Sequence, residues 1–171
     1  MTPLRAFVIF PLLAASVIAF PALAGAPPPR VSIQTLSELS VPGSAYDTSA
    51  DADGDVARAF AQARIQNKRV LIDLGGNWCG DCRVLAAIME LPEVQQFLEA
   101  HYVVVSVDVG RFNRNLQIPA RFGITQRLEG VPAVLIASPD GRLVNVGHIE
   151  ALEDARRMTP QDIVNWLASW A

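Results

Sequence analysis

Short apolar runs alternate with longer amphipathic stretches from about residue 52 to the end of the chain. Continuous apolar runs are typical of strands buried on both faces, whereas apolar residues three or four positions apart indicate helices. The pattern therefore predicts covered strands with helices packed against them. The predicted buried strands are Val70–Leu74, Tyr102–Val109 and Ala133–Ala137.

Helix signals occur between and after these strands. Threonine is favoured as a helix N-cap and proline in a first helical turn, so both residue types mark helix starts. A turn at Ser138–Gly141 is expected to join the third strand to a hairpin strand over Arg142–Val146. The predicted helices cover about Asp55–Asn67, a stretch that begins near Cys82, a stretch opened by Pro92, the segment Ile118–Ile124, and a terminal helix opened by Thr159 and Pro160.

The first 24 residues have the pattern of an export signal. Arg5 precedes an apolar run over Ala6–Phe20, and Ala22–Ala24 has the small residues of a cleavage site. We therefore expect a signal peptide over residues 1–24 and a periplasmic or secreted protein, in a compartment where thiols can oxidise. The alternative of an uncleaved membrane anchor stays open, although the apolar run is shorter than the ~20 residues that span a bilayer.

Residues 25–51 are expected to form a proline-rich linker and a weakly ordered lead-in, with a short edge strand over Val31–Leu36. The acidic cluster Asp51–Asp55 comes next and fits either a calcium loop or a helix start. A calcium loop needs an acid first and a glutamate twelfth, where this chain has Ser49 and Phe60. We therefore predict that these acids cap the following helix.

The only two cysteines, Cys79 and Cys82, lie at the junction of a predicted strand with a predicted helix. The free N–H groups and the positive dipole end of a helix stabilise a thiolate at such a place. Cys79 is the predicted nucleophile, and Cys82, one helical turn later, is the predicted resolving thiol. The pair would form a redox-active disulfide, and no other cofactor is expected.

Asp73 interrupts the first apolar strand. An acid among Leu71, Ile72 and Leu74 is costly to bury, and groups kept at such a cost are candidates for function. The alternative is that Asp73 points to solvent from a half-exposed strand.

Several motifs resemble the thioredoxin family. Trp78-Cys79-x-x-Cys82 is similar to the family's Trp-Cys-x-x-Cys, and Asp73 lies six residues before the first cysteine, where thioredoxins carry a buried acid. Arg121–Ile124 and Gly130–Pro132 resemble the helix and the active-site proline segment of that family. The stretch Ile88–Phe97 looks most like the exported branch that includes the C-terminal domain of the transmembrane thiol-disulfide interchange reductase.

The resemblance covers about residues 52–171 and implies an α/β, thioredoxin-like fold, with a central mixed sheet flanked by helices. It implies that Asp73 accepts the proton of the resolving cysteine and that Trp78 shields the site. It also implies a cis peptide bond between Val131 and Pro132, with the Val131 backbone free to pair with an extended substrate.

The chain departs from the family at Gly80 and Asp81, between the cysteines, and at Thr125–Glu129, before the proline segment. The Asp81 carboxylate should oppose a second negative charge on Cys79. A less stabilised thiolate favours the disulfide form and gives a more negative reduction potential. Gly80 and Asp81 are therefore predicted to tune the potential towards a reductase, which needs electrons from a partner such as a membrane thiol-disulfide reductase.

The predicted function is a monomeric thiol-disulfide oxidoreductase that exchanges disulfides with exported proteins. The formal net charge of −3 argues against nucleic acid as a partner. A structural zinc site needs four ligands, and His101 and His148 lack ligand spacing, so no metal is predicted. The alternative function is a copper-delivery or metalloprotein-assembly thiol chaperone, which would use the same thiols as soft ligands.

Overall fold

The computed structural model describes residues 25–171, so the predicted signal peptide over 1–24 lies outside the described residues. Within them, three strands form one mixed sheet in the order β2, β1, β3. β1 (Arg69–Gly75) lies between β2 (Tyr102–Asp108), which is parallel to it, and β3 (Ala133–Ala137), which is antiparallel. The predicted central mixed sheet is confirmed.

Helices flank this sheet, and side-chain caps define where two of them start. The Asp51 carboxylate accepts a hydrogen bond from the Gly54 N–H at 3.1 Å, which confirms that the acidic cluster caps a helix. Thr159 caps the last helix in the same way through the Asp162 N–H. No helix within 25–171 combines the length and the apolar character needed to cross a membrane. The helices are α1 (Ala52–Gln66), α2 (Gly80–Met89), α3 (Pro92–His101), α4 (Gln117–Ala120) and α5 (Pro160–Ser169).

Alternate residues of β1 pack into two hydrophobic clusters. Val70, Ile72 and Leu74 belong to the cluster that contains the apolar residues of α1, whereas Leu71 belongs to the cluster with α2, α3 and α5. All four side chains are fully buried. Truncating Leu71 to alanine would cost about 2–5 kcal/mol, because tightly packed cores leave a cavity in place of the lost atoms. The rigid sheet thus holds the carboxyl end of β1 in a fixed place.

The predicted hairpin strand over Arg142–Val146 is wrong. The predicted turn over Ser138–Gly141 does form, and the Val144 N–H donates to the Ile136 carbonyl at 2.7 Å. The pairing with β3 is nevertheless reduced to one isolated bridge, between Ala137 and Leu143. The buried side-chain amide of Asn145 replaces the ladder, because it accepts from the Ile136 N–H at 2.9 Å and donates to the Val134 carbonyl at 2.8 Å. Asparagine is depleted in strands, and here its side chain takes the place of strand backbone.

Two further boundaries differ from the prediction. Val31–Leu36 forms no strand, and a 3-10 turn over Leu36–Glu38 follows it instead, with the Glu38 carboxylate accepting from the Thr35 N–H at 2.8 Å. α4 ends at Ala120 rather than at Ile124, and Gly123 takes a left-handed conformation in the turn that follows (φ +81°). A glycine adopts that conformation without steric cost.

Candidate functional site

The two cysteines lie at the junction of β1 and α2 and form a disulfide, with their Cα atoms 5.3 Å apart. Cys79 is the N-cap of α2, and its Sγ accepts a hydrogen bond from the Cys82 N–H at 3.0 Å. Cys79 is 5% exposed and Cys82 is fully buried. Only Cys79 is therefore reachable by another molecule, and an N–H group of the helix start, that of Cys82, donates to its sulfur.

The Val131–Pro132 segment faces the cysteines because of the sheet register. Ala133 at the start of β3 pairs with Leu74 near the end of β1, which brings the preceding residues next to the disulfide. The Val131 carbonyl oxygen lies 3.3 Å from Cys79 Sγ. The Val131–Pro132 peptide bond is cis, as the resemblance implies. Their part in substrate binding stays a prediction.

Asp73 is fully buried, so the alternative of a solvent-facing side chain is wrong. Burial raises the pKa of its carboxyl group to about 7, and a hydrogen bond from Tyr46 acts in the opposite direction. The Tyr46 hydroxyl donates to Asp73 Oδ2 at 2.7 Å, and Oδ1 has no partner among the described residues. A carboxyl group with a pKa near neutrality and a free oxygen atom is suited to accepting a proton.

Tyr46 is the site residue that the sequence reasoning missed. It lies in the segment expected to be a weakly ordered lead-in, yet its ring is buried and burial raises the pKa of its hydroxyl strongly. The side chain of Asn77 fixes this segment to the site: Oδ1 accepts from the N–H groups of Ala45 and Tyr46 at 2.8 and 2.9 Å, and Nδ2 donates to the Tyr46 carbonyl at 2.8 Å. A lone tyrosine in a proline- and glycine-rich segment was the only available signal.

Gly75 leaves the space that this arrangement needs. A Cβ atom there would collide with the Tyr46 hydroxyl and approach Cys82 Sγ to 3.0 Å. The tyrosine hydroxyl and the buried sulfur therefore border the same point at the end of β1. The buried Tyr46 hydroxyl thus bonds to Asp73 and borders the same glycine as Cys82 Sγ, and we call these three residues the Tyr46–Asp73–Cys82 group.

Trp78 lies beside the reactive cysteine and is 43% exposed. Its indole N–H donates to the Gly110 carbonyl at 2.6 Å, which ties the ring to the loop after β2. Phe112 of that loop contacts the ring edge-on, with centroids 5.9 Å apart. The indole thus has a fixed place at the rim of the site, and its shielding role stays a prediction.

Asp81 has a partner that the sequence did not reveal. Its carboxylate accepts from the Arg156 backbone N–H at 2.9 Å and from the guanidinium at 3.0 Å. The Arg156 guanidinium also lies beside Gly80, 3.2 Å from where a Cβ atom would stand. The expected repulsion of a Cys79 thiolate therefore comes from a paired carboxylate, whose effect is smaller than that of a free one.

Comparison with known proteins places this geometry in a family. The family model described as thioredoxin-like matches residues 51–139. The chain belongs to the thioredoxin-like family. The predicted fold class and the predicted thiol-disulfide exchange at Cys79 and Cys82 are thereby confirmed.

Individual relatives within the thioredoxin-like family agree with this assignment. The crystal structure of a disulphide isomerase from Xylella fastidiosa has 35% sequence identity and a TM-score of 0.67, over 72% of this chain and 93% of that one. The thiol:disulfide interchange protein DsbD 1 of Pseudomonas aeruginosa is 32% identical over 126 residues, 70% of this chain and 20% of the relative. A thioredoxin of Alicyclobacillus acidocaldarius is 37% identical over 65 residues, 38% of this chain and 57% of that protein. The chain thus spans only a fifth of the interchange protein and about three fifths of this thioredoxin.

The part of the chain that the structure describes contains no cluster of potential metal ligands. No three His, Cys, Asp or Glu side chains come together there in a way that could hold an ion.

Proposed function

We propose that this thioredoxin-like protein is a protein-disulfide reductase that acts on exported proteins. The observation that carries the proposal is the position of the Cys79–Cys82 disulfide: one sulfur is the N-cap of α2 and faces the Val131 backbone, and the other is buried behind it. A reachable thiol backed by a second, buried thiol can take up a disulfide and then release it. The arrangement favours exchange over stable metal binding.

The reaction begins with the reduced protein. The Cys79 thiolate attacks one sulfur of a substrate disulfide, forms a mixed disulfide and displaces the other substrate sulfur as a thiolate. Cys82 then loses its proton and attacks Cys79 Sγ, which breaks the mixed disulfide. The products are the reduced substrate, with two thiol groups, and the Cys79–Cys82 disulfide. Two electrons pass from the protein to the substrate.

Asp73 and Tyr46 serve the second step. Cys82 is fully buried, so its deprotonation needs an internal acceptor. Asp73, with a pKa of about 7, accepts that proton, and the Tyr46 hydroxyl stabilises the carboxylate form. Without the hydroxyl the carboxyl group would stay protonated to a higher pH. Tyr46, in the segment before α1, therefore affects the rate at which the reduced substrate is released from the mixed disulfide.

The direction of electron flow follows from the groups around Cys79. Asp81 places a carboxylate in the first turn of α2, where it partly neutralises the dipole that would otherwise stabilise the thiolate. Arg156 reduces this effect without cancelling it, since its guanidinium is largely exposed. We expect a potential closer to about −270 mV than to the −120 mV of strong exported oxidants.

A reductase in an oxidising compartment needs a supply of electrons. The pattern of residues 1–24 supports export to the periplasm, and the similarity to an interchange protein supports a membrane thiol-disulfide reductase as the donor. The substrates are disulfides of exported proteins, and the acting form is a monomer.

Equilibration with glutathione buffers of known composition tests the proposal. The fraction of oxidised protein, read from alkylation and mass spectrometry, gives the potential of the dithiol. The Cys82→Ser variant, which cannot form the internal disulfide, provides the baseline. A value above about −180 mV, the level of an isomerase, would contradict a reductase and favour an oxidase or isomerase.

A further inference from the structure

Two loops meet beside Trp78. The loop after β2 contributes Arg111 and Phe112, and the additional residues before the proline segment contribute Arg127. We call these four side chains, Trp78, Arg111, Phe112 and Arg127, the Trp78 rim. The reaction at the cysteines does not use any of the last three.

The rim consists of two touching aromatic rings, each with one guanidinium group over it. The Arg111 guanidinium lies 5.0 Å from the centre of the Trp78 ring, and that of Arg127 lies 4.7 Å from the centre of the Phe112 ring. The two rings touch edge-on with centroids 5.9 Å apart. Each guanidinium group is therefore held over its ring by cation–π attraction, while its N–H groups stay free to bind another group.

The backbone that presents the rim is held in an uncommon conformation. Phe112 and Asn115 have left-handed φ values of 62° and 52°, and Gly110 has a φ of 56°. Side chains of the same loop maintain this shape: the Arg111 N–H donates to Asn113 Oδ1 at 3.0 Å, and Asn115 Nδ2 donates to the Asp108 carbonyl at 2.8 Å. Non-glycine residues in this region cost free energy and concentrate at binding sites.

The charges of the rim are unpaired. Neither Arg111 nor Arg127 forms an ion pair within residues 25–171, whereas Arg114 of the same loop pairs with Asp108 at 3.0 Å. All three guanidinium groups are exposed or partly exposed. The rim therefore presents two free cations on a protein whose net charge is negative.

Carboxylates lie against the two residues just before Val131 and Pro132. The Glu129 N–H bonds to the Glu150 carboxylate at 3.2 Å, and Glu153 lies against Gly130, next to the proline segment. A polypeptide in the site therefore meets cations at Trp78 and acids at Gly130. This asymmetry favours one orientation for a substrate with an acidic end.

We propose that the Trp78 rim binds acidic residues adjacent to the reactive cysteine of an extended substrate segment, so that acid-flanked disulfides of exported proteins are the favoured substrates. The inference rests on the proposed function. Arg111 and Arg127 supply the charge, and the rings of Trp78 and Phe112 hold the guanidinium groups in place. The preference acts on capture by Cys79, before the mixed disulfide forms.

The test compares two symmetric peptide disulfides of equal length, one with glutamates and one with lysines beside the cysteine. The reduced protein reacts with each in a stopped-flow instrument, and the ratio of the two second-order rate constants is the readout. An exposed ion pair changes an equilibrium by about 1.4- to 5-fold, so two contacts predict a ratio of roughly 2- to 25-fold in favour of the acidic peptide at low salt. At about 0.5 M salt the ratio should fall towards 1, because exposed charges are screened.

The Arg111→Gln/Arg127→Gln double variant gives the intrinsic reactivity of the two peptides. Arg64→Gln is the matched control: it removes one exposed arginine from the last turn of α1. Arg64 and Gly141 line the same groove. Gly141 follows the end of β3 that pairs with Val70, so this groove lies near the start of β1, whereas the cysteines follow its other end. This control should keep the wild-type ratio.

Each result has one meaning. The proposal is supported if the ratio of the two rate constants falls in the double variant but stays at the wild-type value in Arg64→Gln. The same ratio in wild type and double variant, with normal reaction towards the neutral 2-hydroxyethyl disulfide, overturns the rim and leaves the proposed function intact. No reaction with any of these disulfides overturns the proposed function and the rim with it.

Discussion

Replacing Tyr46 by phenylalanine tests the proton-transfer step directly. The change removes one hydroxyl group and keeps the ring that fills the core. That hydroxyl donates to Asp73 Oδ2 at 2.7 Å inside the protein, and its hydrogen bond opposes the effect of burial, which raises the pKa of Asp73 to about 7. The carboxyl group of the variant should therefore have a higher pKa than that of the wild type.

The structure gives the size of this effect. A hydrogen bond to a charged group is worth about 1.5–3 kcal/mol, and about 1.36 kcal/mol corresponds to one pH unit of pKa. The pKa of Asp73 should therefore rise by roughly 1–2 pH units. At pH 7 the ionised fraction falls from about a half to roughly 1–10%, which slows release of the mixed disulfide by roughly 5- to 50-fold. Above about pH 9 the rate should recover, because the carboxylate forms again.

Rapid mixing of the reduced protein with a peptide disulfide, followed by acid quenching and mass spectrometry, separates formation of the mixed disulfide from its decay. The pH midpoint of decay should move upward in Tyr46→Phe, and formation should change less than decay. Tyr102→Phe is the matched control, since its buried hydroxyl donates to the Leu167 carbonyl at 2.7 Å, outside the Tyr46–Asp73–Cys82 group. That control should lose stability and keep the wild-type pH midpoint.

Two outcomes would refute this reasoning. If decay of the mixed disulfide slows equally at every pH, Tyr46 supports the fold and does not set the pKa of Asp73. If formation slows and decay does not, the buried pair does not act on Cys82. Tyr46→Phe and Asp73→Asn should differ as well, because only the second removes the proton acceptor and with it the pH midpoint.

Three further predictions concern the cysteines, the Asp81 ion pair and the buried acid. Cys82→Ser should trap substrates as mixed disulfides and Cys79→Ser should trap few; equal trapping on non-reducing gels would contradict the assignment of the nucleophile. Arg156→Gln should make the potential more negative and Asp81→Asn less negative, since each leaves the other charge unopposed; shifts of the same sign in a glutathione titration would refute this. The folded-state pKa of Asp73 is raised from 3.8 to about 7, so ionisation of this residue lowers the free energy of unfolding as pH rises through that range. The free energy of unfolding of Asp73→Asn should therefore increase relative to wild type by up to roughly 4 kcal/mol between pH 4 and pH 7. Above pH 7 this difference should stay constant. Urea unfolding at pH 4 and pH 8 measures this gain, and an equal difference at both pH values would rule it out.

The local sequence pattern determined the strands, the helix starts and the position of the cysteine pair. The apolar runs predicted the bounds of β1, β2 and β3 to within a residue or two, because a strand buried on both faces leaves few polar positions, as in β1 and β3. The predicted burial of β2 is wrong in its middle, because β2 lies at the edge of the sheet and exposes Val104 and Ser106. Caps such as Asp51 and Thr159 marked helix starts through bonds to residues three positions away. Cys79 and Cys82 lie within one helical turn of each other, so the sequence alone placed the reactive pair.

Only the tertiary structure decided the electrostatics of the site. Tyr46 reaches Asp73 across 27 residues and Arg156 reaches Asp81 across 75, and no local spacing reports such contacts. The missing strand after the Ser138–Gly141 turn is also a matter of partners, since the Asn145 side chain rather than its backbone bonds to β3. Periodicity records which residues are buried, whereas the partner of each buried polar group depends on which distant segment packs against it.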